Sequence, residues 1–553
     1  MVPLREPGEA ARRLREDSMT RSRTAAAAIL SAWAACGAAG AEELRVGVAA
    51  EPVAIDPHFF RTGPNMSLRE NISDGLVYNN QVTGEVEPRL AARWQVEDVR
   101  WRFELNPEAR FADGEAVSAA DVIYSLCRVR NVPDSPGTFL SFIETIETIE
   151  AVEPEGEGAL TIVTKGPDPV LLESLSTIGI VQAPMDAPLT YDEADCGTDD
   201  WLSTQAFNDG SLEAGIGPYR VTSYRRGIET VLERNEGYYG PAPHYERVVL
   251  RAIPENGARI AALLSGGVDV IDAVPVNAID QIYQNEKLAL ISAPASRLIF
   301  FAFDQEGEPS PKIGGTDGKN PLKDVRVRKA LNLAVDRAQL VSTTMEGIAE
   351  EARGIVMGTV FGAHPDLAPI PHDPEQAKAL LAEAGYPDGF TLTISSPSDR
   401  YRNDTEVAQA VTQMLAGIGL DVSLETYPQS VYFDRASNYE YSMYLGGAGA
   451  DTGEGLSQLL NLIHTRDTER GLGGANRGRY SSEKVDALLQ EALVTLDAET
   501  RRGLLQEAQA IVYEDYGYMP LYHEVAVWAA RADVHFEPNA GQLNILYTAR
   551  PAE

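Results

Sequence analysis

Residues 101–126 read WRFELNPEARFADGEAVSAADVIYSL, and three local signals follow one another along them. Trp101, Phe103 and Leu105 alternate with charged residues, the period of a strand with one buried face. Asp113-Gly114 is a hairpin-type pair, because glycine takes a positive φ at no steric cost. Ser118 followed by Asp121 is a capping box: the hydroxyl can bond the backbone N–H three residues on, and the acid reaches back. It opens a helix through Val122, Leu126 and Val129.

Working outward, Leu44, Val46 and Val48 alternate as a strand does, and Pro52, Asp56 and Pro57 end it. Strand patterns return in IETIETIEAVEP and ALTIVTK, and again from Gly217 to Glu233. A short amphipathic helix is expected over 259–265 and a strand over 268–271. After the loop-like stretch QEGEPSPKIGGTDGKN, the run DVRVRKALNLAVDRAQLV predicts one long helix, with Val327, Leu331, Ala334 and Val335 on its buried face. Asp373-Pro374 opens another, with proline at its first turn. Strand FTLTISSP, a helix over 406–418, strand LDVSLETY, one long helix over 483–514 and the final strand YMPLYHEVAVWAA complete the alternation. Alternating strands and helices imply an α/β fold with crossover connections.

The chain has 553 residues, more than one core accommodates, so at least two large lobes are expected. Hydrophobic residues make up 44% and charged residues 23%, ordinary for a globular protein. The formal net charge is −35, which argues against nucleic acid and against docking on anionic lipid. Residues 1–41 read as a secretory signal with a polar upstream extension, Met19 being an alternative start. Arg21 and Arg23 are followed by a short apolar run, Ala25 to Cys36, and then by Ala39-Gly40-Ala41 before Glu42. That run of about 12 residues is too short to span a bilayer, which takes about 20. Cleavage after Ala41 leaves Cys127 and Cys196, which export permits to bond and which equally suit two buried thiols.

Six stretches in one order resemble a known family: residues 101–126, GIGPYRVTSYRRGIETVLERNEGYYG, RIAALLSGGVDVID, PLKDVRVRKALNLAVDR, DPEQAKALLAEAGYPDGF and NRGRYSSEKVDALLQEA. The chain is similar to the oligopeptide, dipeptide and nickel class of solute-binding proteins of ABC transporters (family 5). The resemblance implies the large, three-domain class II form of the two-lobe periplasmic-binding-protein fold, with two hinge crossovers near 297–303 and 518–528. Lobe I would hold 42–296 and the return 521–553, with a subdomain inserted at about 90–205, and lobe II would hold 297–520. It further implies a periplasmic monomer without cofactor, which closes on a small peptide-like ligand and delivers it to membrane permease subunits. A dissociation constant of roughly 0.1–10 μM would suit a carrier that must release its cargo.

A peptide-like ligand carries an ammonium and a carboxylate, and enclosing either unpaired is expensive. The resemblance places Asp451, in LGGAGADTGEG, on the ammonium. It places Arg400 and Tyr401, in SSPSDRYRND, against the carboxylate, where a planar guanidinium can bond both oxygens. Thr62, Gly63 and Asn65, in FFRTGPN, fall in the first-lobe loop that touches ligand in relatives. Phe59 and Phe60 are candidate pocket walls, and Tyr522 and Trp528 are candidate cleft residues. The sequence departs from the peptide binders at Gly447-Ala448-Gly449-Ala450, where an aromatic residue is usual. The smaller side chains leave room for a bulkier head group or weaken amine capture. Rival readings keep the fold and carry a sugar, an opine, glutathione or an amino-acid conjugate, or carry nickel. The seven histidines are scattered without ligand spacing. No G-x-S-x-G, H-E-x-x-H or phosphate-loop motif marks an enzyme.

Overall fold

The computed structural model describes residues 42–80, 83–136, 139–151, 158–184, 190–192, 201–213, 215–450 and 453–552. The expected signal sequence, Asp451 and Cys196 lie outside these. A twelve-stranded mixed sheet runs the length of the molecule. Its two central members are long: Leu288–Phe303 and Tyr518–Arg531 pair antiparallel along nearly their whole length. At one end the first of them pairs with Met443–Ala448 through residues 298–303, and the parallel strands Thr391–Pro397 and Asp421–Tyr427 continue outward. At the other end the second pairs with Val270–Ile271 through Ala529 and Ala530. Glu43–Val48, Arg247–Ala252, Glu229–Arg234 and Tyr219–Arg225 follow in that order. The sheet therefore has two halves, each packed as a lobe, and the two long strands are the hinge crossovers. The register between them shifts between Pro294 and Leu298, where the chain passes from one half to the other.

Both faces of each half are covered, which is why these strands read as continuous apolar runs. Along the first hinge strand Leu298, Phe300 and Ala302 enter one core cluster and Ile299, Phe301 and Phe303 enter the cluster on the opposite face. The second hinge strand does the same in the other half: Ala526, Trp528 and Ala530 face one core, Val527 and Ala529 the other. Each fully buried Leu, Ile, Val or Phe side chain among these contributes about 1.5–3 kcal/mol by leaving water.

A separate five-stranded antiparallel sheet is built from residues 91–192 and holds its own core. The capping box forms as expected, the Asp121 carboxylate accepting from Ser118 N at 2.8 Å and Ser118 Oγ at 2.7 Å, and the helix is Ala119–Arg128. Cys127 at its end is fully buried and disulfide-bonded.

Two helices expected as single rods are broken. The first stops at Leu333 and restarts at Arg337, where Asp336 caps the new turn through Gln339 N. Arg337 is buried, and bonds to the carbonyls of Pro520, Asn332, Val335 and Ile370 hold the break open. The expected helix over 483–514 is two, Glu483–Ala492 and Ala498–Glu514, because the Asp497 carboxylate caps the second at Thr500 N.

Candidate functional site

The hinge carries charge at its surface. Arg297 on the first crossover bonds Glu524 on the second, Nη1 to Oε2 at 3.2 Å, with side chains 36% and 11% exposed. Gln542 Nε2 reaches the same carboxylate oxygen at 3.5 Å. Arg402 lies beside this pair, donating from Nη1 to the Val525 carbonyl at 3.2 Å, and burial lowers its pKa. Residue 524 is a lone carboxylate in the apolar run YMPLYHEVAVWAA.

Arg400 and Tyr401 stand on the turn that leaves strand Thr391–Pro397 and enters helix Asp404–Ala416. The Asp404 carboxylate accepts from Arg400 N at 2.9 Å and Tyr401 N at 3.1 Å, which fixes the turn. Asn403 takes the left-handed region at φ 53° and donates to the Thr344 carbonyl. Arg400 is exposed, with its guanidinium 5.4 Å from the centre of the Tyr401 ring. Tyr401 is half-buried against strand Met443–Ala448, and a Cβ at Gly447 would come within 2.6 Å of its Cε1. Burial raises the Tyr401 pKa, while Arg400, the Gly447 backbone and Arg297 pull it down. The glycine at 447 is therefore set by the tyrosine ring, which occupies the space that sequence reasoning assigned to a larger ligand.

The flanks of residue 451 are held from both lobes. Ala450 is buried in a core cluster with Leu456 and Leu459, and a Cβ at Gly453, at φ 76°, would come within 2.7 Å of Asn79 Nδ2.

Thr62 is the N-cap of helix Gly63–Ile72, and its Oγ1 donates to Asn65 Oδ1 at 3.0 Å. Asn65 is buried, its Oδ1 also accepting from Val53 N and its Nδ2 donating to the Ala54 carbonyl. Its amide is thus engaged in holding the loop in place. Gly63 is exposed and lines a cavity of about 180 Å³ with Asp272, Gln542 and Asn544. Asp272 is held by Ala49 N at 2.7 Å and Asn544 Nδ2 at 3.0 Å, and burial raises its pKa. Through Gln542 this cavity adjoins the Glu524 carboxylate, so the Gly63 loop, the hinge pair and Tyr401 form one continuous region. A larger cavity of about 490 Å³ lies at the edge strand Tyr219–Arg225, away from all of these residues.

Tyr522 and Trp528 do not line the cleft. Both are core residues, 1% and 2% exposed, and Trp528 Nε1 donates to Asn544 Oδ1 at 2.8 Å. Phe59 and Phe60 are half-buried. The hinge residues Arg297, Arg402, Glu524 and Gln542 escaped sequence reasoning, and only the charge inside the apolar strand at Glu524 signalled them.

A family profile for bacterial extracellular solute-binding proteins, family 5, matches residues 85–470. The heme-binding protein A of Haemophilus influenzae is 25% identical over 476 residues, covering 82% of this chain and 83% of that protein. The dipeptide-binding protein of Escherichia coli is 24% identical over 510 residues, covering 87% of this chain and 89% of that protein. Among solved structures, the ABC transporter-associated periplasmic binding protein DppA of Helicobacter pylori, in complex with the peptide STSA, superposes with a TM-score of 0.70. It is 22% identical, and the match covers 92% of this chain and 98% of that one. With that profile spanning most of its length, and a sheet divided in two by a pair of hinge strands, the chain belongs to the family 5 bacterial extracellular solute-binding proteins.

Proposed function

We propose that the chain is the capture component of an ABC importer, closing two lobes on a small peptide or peptide-like ligand and passing it to permease subunits without covalent change. It acts as an exported periplasmic monomer whose leader ends near Ala41. One observation carries this reading: groups of both signs meet at the hinge, Glu524 bonded to Arg297 with Arg402 beside it, and Arg400 over the Tyr401 ring, on strands and turns from both lobes. A zwitterion needs partners of both signs when water is excluded. Arg400 and Tyr401 take the ligand carboxylate. Asp451 takes the ammonium, and the Thr62–Gly63 loop, positioned by Asn65, closes from the first lobe. The ligand touches both lobes and so binds the closed form better, which shifts the population. The sheet register supports a first lobe of 42–296 with the return 521–553, a second lobe of 297–520, and an inserted subdomain near 90–205. The family's solute-binding role and the peptides named for its relatives support binding over catalysis.

The test is a thermal-shift and native mass-spectrometry screen of di- to pentapeptides, glutathione, opines, sugars, heme and nickel. A ligand at a hundredfold excess over its dissociation constant stabilises by about 2.7 kcal/mol. A peptide-induced shift that Arg400→Ala and Asp451→Ala both abolish supports the reading. A shift given only by a sugar, heme or nickel, indifferent to both substitutions, sinks it.

A further inference from the structure

Away from the hinge the two lobes meet again, across the helix Leu171–Ser176. That helix packs on strand Val77–Asn79 and the turn Leu140–Phe142. Just before it Val170 packs into the second-lobe cluster of Leu456, Leu459 and Leu505, and Leu496 of that lobe packs into the core of the five-stranded sheet. Glu173, half-buried, faces this contact, and its buried Oε2 has no hydrogen-bond partner among the described residues.

Among the described residues no cation is bonded to its carboxylate. Arg501, 6% exposed, is committed to Glu454, 2% exposed, through Nε–Oε1 at 2.7 Å and Nη2–Oε2 at 3.3 Å. Its Nη1 is bonded to the carbonyls of Thr495 and Leu496. Asp168, on the approach to the helix, accepts from Thr145 Oγ1 and Val170 N. On the other packed elements, Arg69 donates to the Ser176 carbonyl and Arg61 lies 4.7 Å from the centre of the Phe142 ring. Arg502 lies over Phe361. Burial first, then the charge of Glu454, pushes Glu173 up to about 8, against the opposing pull of Arg501. Asp168 and Glu454 are also raised, by burial.

We propose that lobe closure takes up one proton from solvent on Glu173, which is an ionised, hydrated carboxylate when the lobes part and a neutral buried acid when they meet. The site is a proton-dependent latch that uses none of the proposed ligand residues and ties capture to the pH around the protein. The sign follows from linkage. The closed form has the raised pKa, so closure is fully favoured below the ordinary glutamate value of 4.5. It weakens as pH rises to about 8 and is constant above that. One proton gives a closed-to-open ratio falling by at most about tenfold per pH unit within that window.

The experiment needs no ligand. Leu496→Cys places a thiol in the contact, and its maleimide labelling rate, relative to the same thiol in the denatured protein, reads the open fraction at each pH. Protection should fall between pH 5 and 8 in this background. It should stay high and flat when Glu173→Gln is added, with Glu173→Leu as a second variant should the first not fold. Asp168→Asn should keep the slope. A flat profile with Glu173 intact, or an unchanged slope without it, overturns the proposal. A slope lost in Asp168→Asn but kept in Glu173→Gln overturns it equally, since the proton then sits on Asp168.

Discussion

Arg297 and Glu524 stand 3.2 Å apart on different crossover strands, so one ion pair ties the two hinges together at the mouth of the cleft. Arg297 is about a third exposed, so solvent screening limits the pair. Glu524→Gln should lower unfolding stability by about 1 kcal/mol or less, with a smaller loss in high salt. A urea titration of the native protein and of Glu524→Gln at low and high ionic strength measures it. The same substitution should change ligand affinity more than stability, because Arg402 and Gln542 lose their shared carboxylate.

Gly447→Ala should displace the Tyr401 ring, because the added Cβ would lie 2.6 Å from Cε1. Affinity for whichever solute the screen identifies should fall at least about tenfold, equivalent to about 1.4 kcal/mol. Tyr401→Ala in the same background should add little, since the two changes act through one contact. Isothermal titration of the two single variants and the double variant decides this; full additivity of the losses would show that the two positions act separately.

Arg501→Met should be among the most damaging single changes. It strips the Glu454 carboxylate, 2% exposed, of the cation paired with it and leaves charge uncompensated in the core. Removing one partner of a buried pair costs about 3–5 kcal/mol. Adding Glu454→Leu should recover much of that loss. Chemical denaturation of the single and double variants measures both steps, and a double variant no more stable than the single would contradict the pairing.

Acid should weaken the fold through two buried histidines. His58 has no exposed surface; its Nε2 lies 2.6 Å from the Gly179 carbonyl and its Nδ1 3.0 Å from Arg128 Nη1. Burial first, and then the Arg128 charge, lowers it to about 4, and burial likewise lowers His523 to about 4. Both are lowered, so their stabilisation is complete above the unfolded value of 6.5 and is lost as pH falls from there to about 4. The loss is at most roughly 3 kcal/mol for each. His58→Gln should lower the slope of unfolding free energy against pH in that window by up to one proton's worth, about 1.4 kcal/mol per pH unit. An unchanged slope would mean that His58 is not the group being protonated.

The elements legible in the sequence were those specified by neighbours in the chain. The Ser118–Asp121 box and the Asp373-Pro374 start each declare a helix within four residues, and the alternation in Trp101–Leu105 declares a strand face. The breaks at Asp336 and Asp497 carry the same kind of signal, an acidic cap, but a continuous apolar period overrode it. Arg337 makes the first break necessary, and its partners lie on the second hinge strand and near residue 370, far from it in the chain.

By itself the sequence determined the alternating α/β architecture and its family, its acidic character, and the turns that carry Arg400 and the Thr62 loop. These depend on propensity, period and spacing, which act over a few residues. Only the tertiary structure decided that Tyr401 fills the space above Gly447, that Asn65 is spent on its own loop, and that Tyr522 and Trp528 are core. It alone paired Arg297 with Glu524 and set Glu173 beside Glu454 with no bonded cation among the described residues. Burial and the partner of a charge are properties of the surroundings that folding assembles, and Arg297 and Glu524 are 227 residues apart in the chain.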